Sequence, residues 1–159
     1  MQSLIKKVVW LSLAAVPFIA LHVGDGGTLD FLSWGSSPGL YFPFIAGKNI
    51  IFRILVEIAF AGWVVLAIND PGYRINLRKS PLMLAYAAFI LVIIMADIFG
   101  VDRQKAIWSN FERMEGLVGH LHFFLYFVVL TAMLRTLKEW QTMLKTFLAA
   151  NVLILFHAY

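Results

Sequence analysis

The chain has no cysteine among its 159 residues, which excludes disulfides, thiolate catalysis and cysteine metal sites. Charge is scarce as well: Asp, Glu, Lys and Arg make up 14% of the residues, against 61% apolar. A soluble domain carries about 25% charged and about 45–50% apolar residues. The polar side chains present are too few to cover a water-facing fold, so lipid is the expected solvent. Histidine is limited to His22, His120, His122 and His157. No GxxxxGK[S/T] phosphate loop and no HExxH pair occurs. The net charge of +4 reflects how basic residues are distributed between loops, as shown below, and implies no nucleic-acid partner.

Apolar runs divide the chain into five segments. The first covers about 8–23, after Lys6 and Lys7. It has the basic start of a signal peptide, but no small-x-small site separates His22 from the GDGG that follows, so it reads as a retained helix. Pro17 should break it locally. The second covers about 50–68; nineteen residues at 1.5 Å each give roughly 28 Å, close to the hydrocarbon thickness. The third and fourth cover about 82–99 and 117–134, and a fifth, shorter run covers 143–159. Loop 24–49 is rich in Gly, Ser and aromatics, with Trp34, Tyr41, Phe42 and Phe44 suited to a water–lipid boundary. Loop 100–116 carries mixed charge.

This pattern predicts an all-α, polytopic transmembrane domain of 4–5 membrane-spanning helices. Basic residues set its orientation. With the N-terminus in the cytoplasm, Lys6, Lys7, Arg74, Arg78, Lys79, Arg135, Lys138 and Lys145 lie inside. Lys48, Arg53, Arg103, Lys105 and Arg113 then lie outside. Eight against five satisfies the positive-inside rule and places loops 24–49 and 100–116 on the outer side.

The informative polar residues gather toward that side. Arg53 and Glu57 are spaced i, i+4 on one helical face. An ion in lipid is costly, so each should face protein, water or the other; an internal Arg53–Glu57 pair is the simplest expectation. Asp97 closes the third segment. Glu112 and Glu115 share a face if their segment is helical, and His120 follows Gly116 by one turn. His120 and His122, two apart, point to different faces, which argues against a paired metal site. A proton path through Glu57 and Asp97 is disfavoured, because the third segment is bare of charge until Asp97.

Two stretches carry a resemblance. Residues 41–74 contain Lys48, Asn49, Phe52, Arg53, Val56 and Glu57 in a K-N-x-x-F-R-x-x-V-E pattern. Residues 96–130 contain Phe99–Val101 and the run SNFERMEG from Ser109 to Gly116. With the run from Lys138 to Phe147, they resemble the N-terminal part of the bacterial O-antigen ligase-like or polysaccharide-polymerase-like membrane protein family. The resemblance implies an inner-membrane, multi-pass enzyme that transfers a saccharide from a lipid diphosphate to an acceptor. It implies no metal or other cofactor, with membrane lipid and a lipid-diphosphate-linked glycan as partners. Arg53 and Arg113 are the implied diphosphate-positioning residues, because guanidinium binds phosphate oxygens bidentately. Glu57, Asp97, Glu112, Glu115 and His120 would form the supporting polar cluster. The family's essential histidine lies in a large outer loop that has no counterpart here, so no catalytic residue is assigned. The expectation is the opening section of a longer protein, completed by further helices and not competent alone. The rival expectation is a non-enzymatic assembly partner or permease-like subunit.

Overall fold

The computed structural model describes residues 2–22, 43–75, 80–110 and 113–158. Among them every regular element is helical. Helix α1 spans Gln2–Ala15, a 3-10 turn covers Val16–Phe18, and α2 is Ile19–His22. Proline at position 17 accounts for the turn: it removes one backbone donor and crowds the preceding carbonyls. Helix α3 runs Pro43–Asn69, α4 Pro81–Phe99, α5 Arg103–Trp108, α6 Leu117–Met133 and α7 Leu137–Ala158. The boundary reading of Trp34, Tyr41 and Phe42 falls outside the described residues, as do Arg78 and Lys79.

Two boundaries differ from the sequence expectation. Helix α3 starts seven residues before position 50, so the segment PFIAGKN is helical rather than loop. Pro43 at its first position costs little, since that N–H would lack an intrahelical partner anyway. Helix α7 starts six residues before position 143. Its start is set by a reciprocal cap: Thr136 Oγ1 accepts from the Glu139 backbone N–H at 3.2 Å, while Glu139 accepts from the backbone N–H groups of Arg135 and Thr136, both at 2.9 Å. The Arg135 N–H, then that of Thr136, holds the Glu139 carboxyl below the usual carboxylate range. Burial opposes this shift, and the Thr136 hydroxyl and Lys6 add to it.

Successive long helices alternate in direction. Helices α3 and α6 run the same way, with Phe52 and Phe123 ring centroids 4.8 Å apart near their starts. Helix α4 runs against α6, its Tyr86 ring meeting Phe124 and Phe127 at 5.3 and 5.5 Å. The core lies where α1, α3 and α6 meet, around Val9, Leu13, Ala59, Leu66, Val129 and Met133, closed by Leu134 and by Met143 of α7. Helix α1 approaches α3 closely at Gly62, where a Cβ would lie 2.6 Å from Val9 Cγ2. At the end where α3 and α6 finish, Arg135 stacks over the Tyr73 ring at 4.6 Å. There Trp63 Nε1 donates to the Tyr73 carbonyl and Trp140 Nε1 to that of Leu134.

Residues Ile45–Asn69 and Pro81–Phe99 are each long and apolar enough to cross a membrane. Only 17% and 11% of their apolar windows are buried inside the molecule, whereas the core helix of a soluble protein would be mostly buried. These two helices point to membrane association. Helix α6 is similarly apolar but has 17 residues.

Candidate functional site

The opposite end of the bundle carries the charged residues singled out above. Helix α5 is capped by Asp102, whose carboxylate accepts from the Lys105 backbone N–H at 3.0 Å. It stops at Ser109, which adopts φ 59°. The chain then turns around Asn110, whose carbonyl accepts from the backbone N–H groups of Arg113 and Met114 at 3.1 and 2.9 Å. Met114 is also left-handed, at φ 52°. Left-handed residues without glycine are uncommon and costly, so something must hold the turn.

Helix α3 supplies that hold. Asn49 and Arg53, one turn apart, reach two successive carbonyls of residues 113–116, a strap that leads into α6: Asn49 Nδ2 donates to Arg113 O at 2.6 Å and Arg53 Nη2 to Met114 O at 2.9 Å. Two glycines let the strap sit this low. A Cβ on Gly116 would overlap the Ile107 carbonyl, and one on Gly119 would lie 2.8 Å from Met114 O. Much of the SNFERMEG run is thus explained by packing: a turn, two tied carbonyls and a glycine pressed against α5.

A cleft opens on each side of this strap. The smaller, about 300 Å³, is lined by Asn49, Phe52, Arg53, Met114, Glu115, Gly119, His120 and Phe123. The larger, about 610 Å³, is lined by Arg53, Asp102, Gln104, Lys105, Trp108, Ser109, Asn110 and Met114. Arg53 borders both. Its guanidinium has five N–H donors, and the Met114 carbonyl takes one. In the larger cleft it is joined by Lys105, while Asp102, the one carboxylate among the described lining residues, caps α5 through Oδ1. Two cations against one carboxylate leave the described lining with a net positive charge, which favours an anionic ligand.

The structure brings together Arg53, Glu115 and His120 around the smaller cleft. Other residues of the expected cluster lie elsewhere. Arg113 is exposed and lines neither of these clefts; its contribution to the strap is its carbonyl. Asp97 has a buried Oδ2 that finds no hydrogen-bond partner among the described residues, and it also lines neither. Glu112 is outside the described residues. The expected Arg53–Glu57 pair is replaced: Glu57 Oε1 meets His122 Nε2 at 3.2 Å, and Arg53 turns to the strap. Both partners lie on other parts of the chain, 61 and 65 positions away, and are invisible to helical spacing. Lys105, Asn49 and His122 were not foreseen; an Asn one turn before an Arg was the available signal. Among the described residues no group of three or more His, Asp or Glu is placed to hold a metal ion. Comparison with protein-family models, curated proteins and solved structures gives no match.

Proposed function

We propose that this chain is a multi-pass protein of the bacterial inner membrane, crossing it four to five times with its N-terminus in the cytoplasm. It would contribute the donor-side wall of a glycan ligase or polymerase acting on a lipid-diphosphate-linked saccharide. The alternating helix directions and the eight-to-five basic asymmetry support the topology. The SNFERMEG resemblance supports the enzyme class. The observation that carries the site is Arg53, held by Met114 O on the strap and facing a cleft shared with Lys105. In such a transfer the bond between the sugar and the diphosphate oxygen breaks while an acceptor oxygen bonds to the sugar. Cations fixed at the leaving diphosphate stabilise its charge as it develops. Lys105 takes the second cationic role in place of Arg113. The exposed Trp108 ring beside them suits the water–lipid boundary.

The test uses vesicles containing the full chain and a long-chain isoprenyl diphosphate bearing a photoreactive group. Lys105→Gln is the cleaner variant, because only the backbone of Lys105 takes part in capping. A hydrogen bond to a charged group is worth about 1.5–3 kcal/mol, so labelling should fall about tenfold or more. Arg53→Gln should fall at least as far, and Arg113→Gln little. Undiminished labelling of the Lys105→Gln protein refutes the reading. One feature favours a second reading, a non-enzymatic assembly partner: α4 exposes Leu82, Leu84, Phe89, Leu91, Val92, Met95 and Phe99, a flank another membrane helix would cover. That reading predicts no diphosphate labelling in any variant.

A further inference from the structure

The end of the bundle away from the strap gathers charge of one sign. Lys6 and Lys7 of α1, Arg74 after α3, and Arg135 and Lys138 around the turn from α6 to α7 are all exposed. Helix α1 packs beside α7 here, with Lys6 close enough to Glu139 to steady its carboxylate. Among the described residues of this end, Asp70 and Glu139 are the carboxylates, so five cations stand against two anions, and no ion pair joins the two sets.

Two of the cations are fixed in place. Arg74 Nε donates to the Ala67 carbonyl at 3.0 Å and Arg135 Nε to the Ala132 carbonyl at 3.1 Å. Both carbonyls belong to the last turns of their helices, α3 and α6, where positive charge is favoured. Arg135 also stacks over the ring of Tyr73, the neighbour of Arg74. Capping by itself would use one of the five N–H groups on each guanidinium. The Nη1 and Nη2 groups of both arginines have no hydrogen-bond partner among the described residues. A guanidinium held by Nε presents its Nη pair as a ready fork for phosphate oxygens, with little further ordering to lose. Two indoles mark the depth of this end. Trp63 and Trp140 are half-buried, each donating Nε1 to a backbone carbonyl, and such rings collect at the water–lipid boundary. The two long apolar helices finish (α3) and begin (α4) here, which puts the cations at the level of lipid headgroups.

We propose that this end of the bundle is a binding surface for anionic phospholipid: Arg74 and Arg135 grip the headgroup phosphate, and Lys6, Lys7 and Lys138 draw negatively charged lipid to them. Lipid is the occupant because the cations come from separate elements around membrane-associated helices and all face outward. The proposal is independent of the diphosphate reading, whose residues lie at the other end. The full chain in phosphatidylcholine bilayers tests it, with spin-labelled phosphatidylglycerol or spin-labelled phosphatidylcholine as probe and the fraction of label immobilised at the protein as readout. The anionic lipid should associate about fivefold or more tightly, the effect of one engaged Lys or Arg at a membrane surface. Combining Lys7→Gln with Lys138→Gln, whose side chains make no hydrogen bond or ion pair among the described residues, should lower that preference about threefold or more. Arg135→Gln should lower it at least as far, and Arg103→Gln, at the strap end, should leave it unchanged. Equal association of the two lipids overturns the proposal, as does a loss no larger in the double variant than in Arg103→Gln. An Arg135→Gln protein that is less stable yet keeps the full preference also overturns it, since the arginine then serves only as a helix cap. Glycerol phosphate, the soluble headgroup, should not displace the labelled lipid; displacement would assign the cations to a free anion and refute the lipid surface.

Discussion

Gly116 provides a sharp test of the strap. Its backbone, at φ −73° and ψ −173°, is open to any residue, so glycine is not needed there for conformational freedom. What requires it is space. A Cβ would overlap the Ile107 carbonyl oxygen and lie 2.7 Å from the Ile107 carbonyl carbon and 2.8 Å from the Ala106 carbonyl oxygen. All three are backbone atoms of α5, which cannot swing aside as a side-chain tip does. Restoring van der Waals distance means moving the strap or α5 by several tenths of an ångström, and overpacking of this kind costs about 1–3 kcal/mol. Gly→Ala at a compatible conformation returns about 0.4–1 kcal/mol through the unfolded chain. The clash wins, and Gly116→Ala should lose about 1–2 kcal/mol in detergent-driven unfolding. Gly100→Ala is the control, because its Cβ would meet backbone oxygens only at 3.4 Å; it should be neutral or slightly stabilising. If Gly116→Ala proves as stable as Gly100→Ala, the strap does not sit against α5 as described.

Two further outcomes follow from other contacts. Gly62→Ala should destabilise the α1–α3 contact, since its Cβ would lie 2.6 Å from the buried, stiff Val9 side chain. Adding Val9→Ala should recover part of the loss, with a coupling of about 1 kcal/mol in a double-mutant cycle; strict additivity would count against that contact. Glu139 has its carboxyl held below the ordinary range, so its cap is fully effective above about pH 4.3 and is lost as pH falls through the lower folded value. Amide protection at Arg135 and Thr136, corrected for the intrinsic exchange rate, should therefore fall on acidification in the wild type, and Glu139→Gln should remove that dependence at a cost of about 0.5–1 kcal/mol.

The long apolar helices were legible because a run such as LMLAYAAFILVIIMADIF, apolar at every turn and free of Pro and Gly, reads as one continuous apolar helix. Their polar ends were not. The start of α7 depends on Thr136 and Glu139 forming a reciprocal cap, a local signal present in the sequence but outweighed by the charged look of LRTLKEW. The start of α3 was obscured by Pro43 and Gly47, which usually mark loops yet are tolerated in this helix. For the site, spacing placed Arg53 and Glu57 on one face and separated His120 from His122, and both relations are seen. Spacing gave no access to partners from another helix, so it paired Arg53 with its i+4 neighbour. The structure gives Arg53 to Met114 and Glu57 to His122. Lys105 was weighed only as a topology charge, because its approach to Arg53 depends on how α5 folds back.

Helix α6, LVGHLHFFLYFVVLTAM, is apolar around nearly its whole circumference. A rod greasy on every side has no preferred face, so burial alone leaves it free to spin about its axis. Gly119, His122 and Tyr126 fall on one stripe, and each engages a different element: the strap carbonyl of Met114, Glu57 on α3 and the Leu13 carbonyl on α1. Together they act as a key cut into a featureless cylinder. A one-residue slip would turn α6 by about 100° and leave its greasiness unchanged, yet every tooth of the key would miss its slot. Orientation in this bundle is thus carried by three small polar or steric features, while apolar mass decides only that the helices gather.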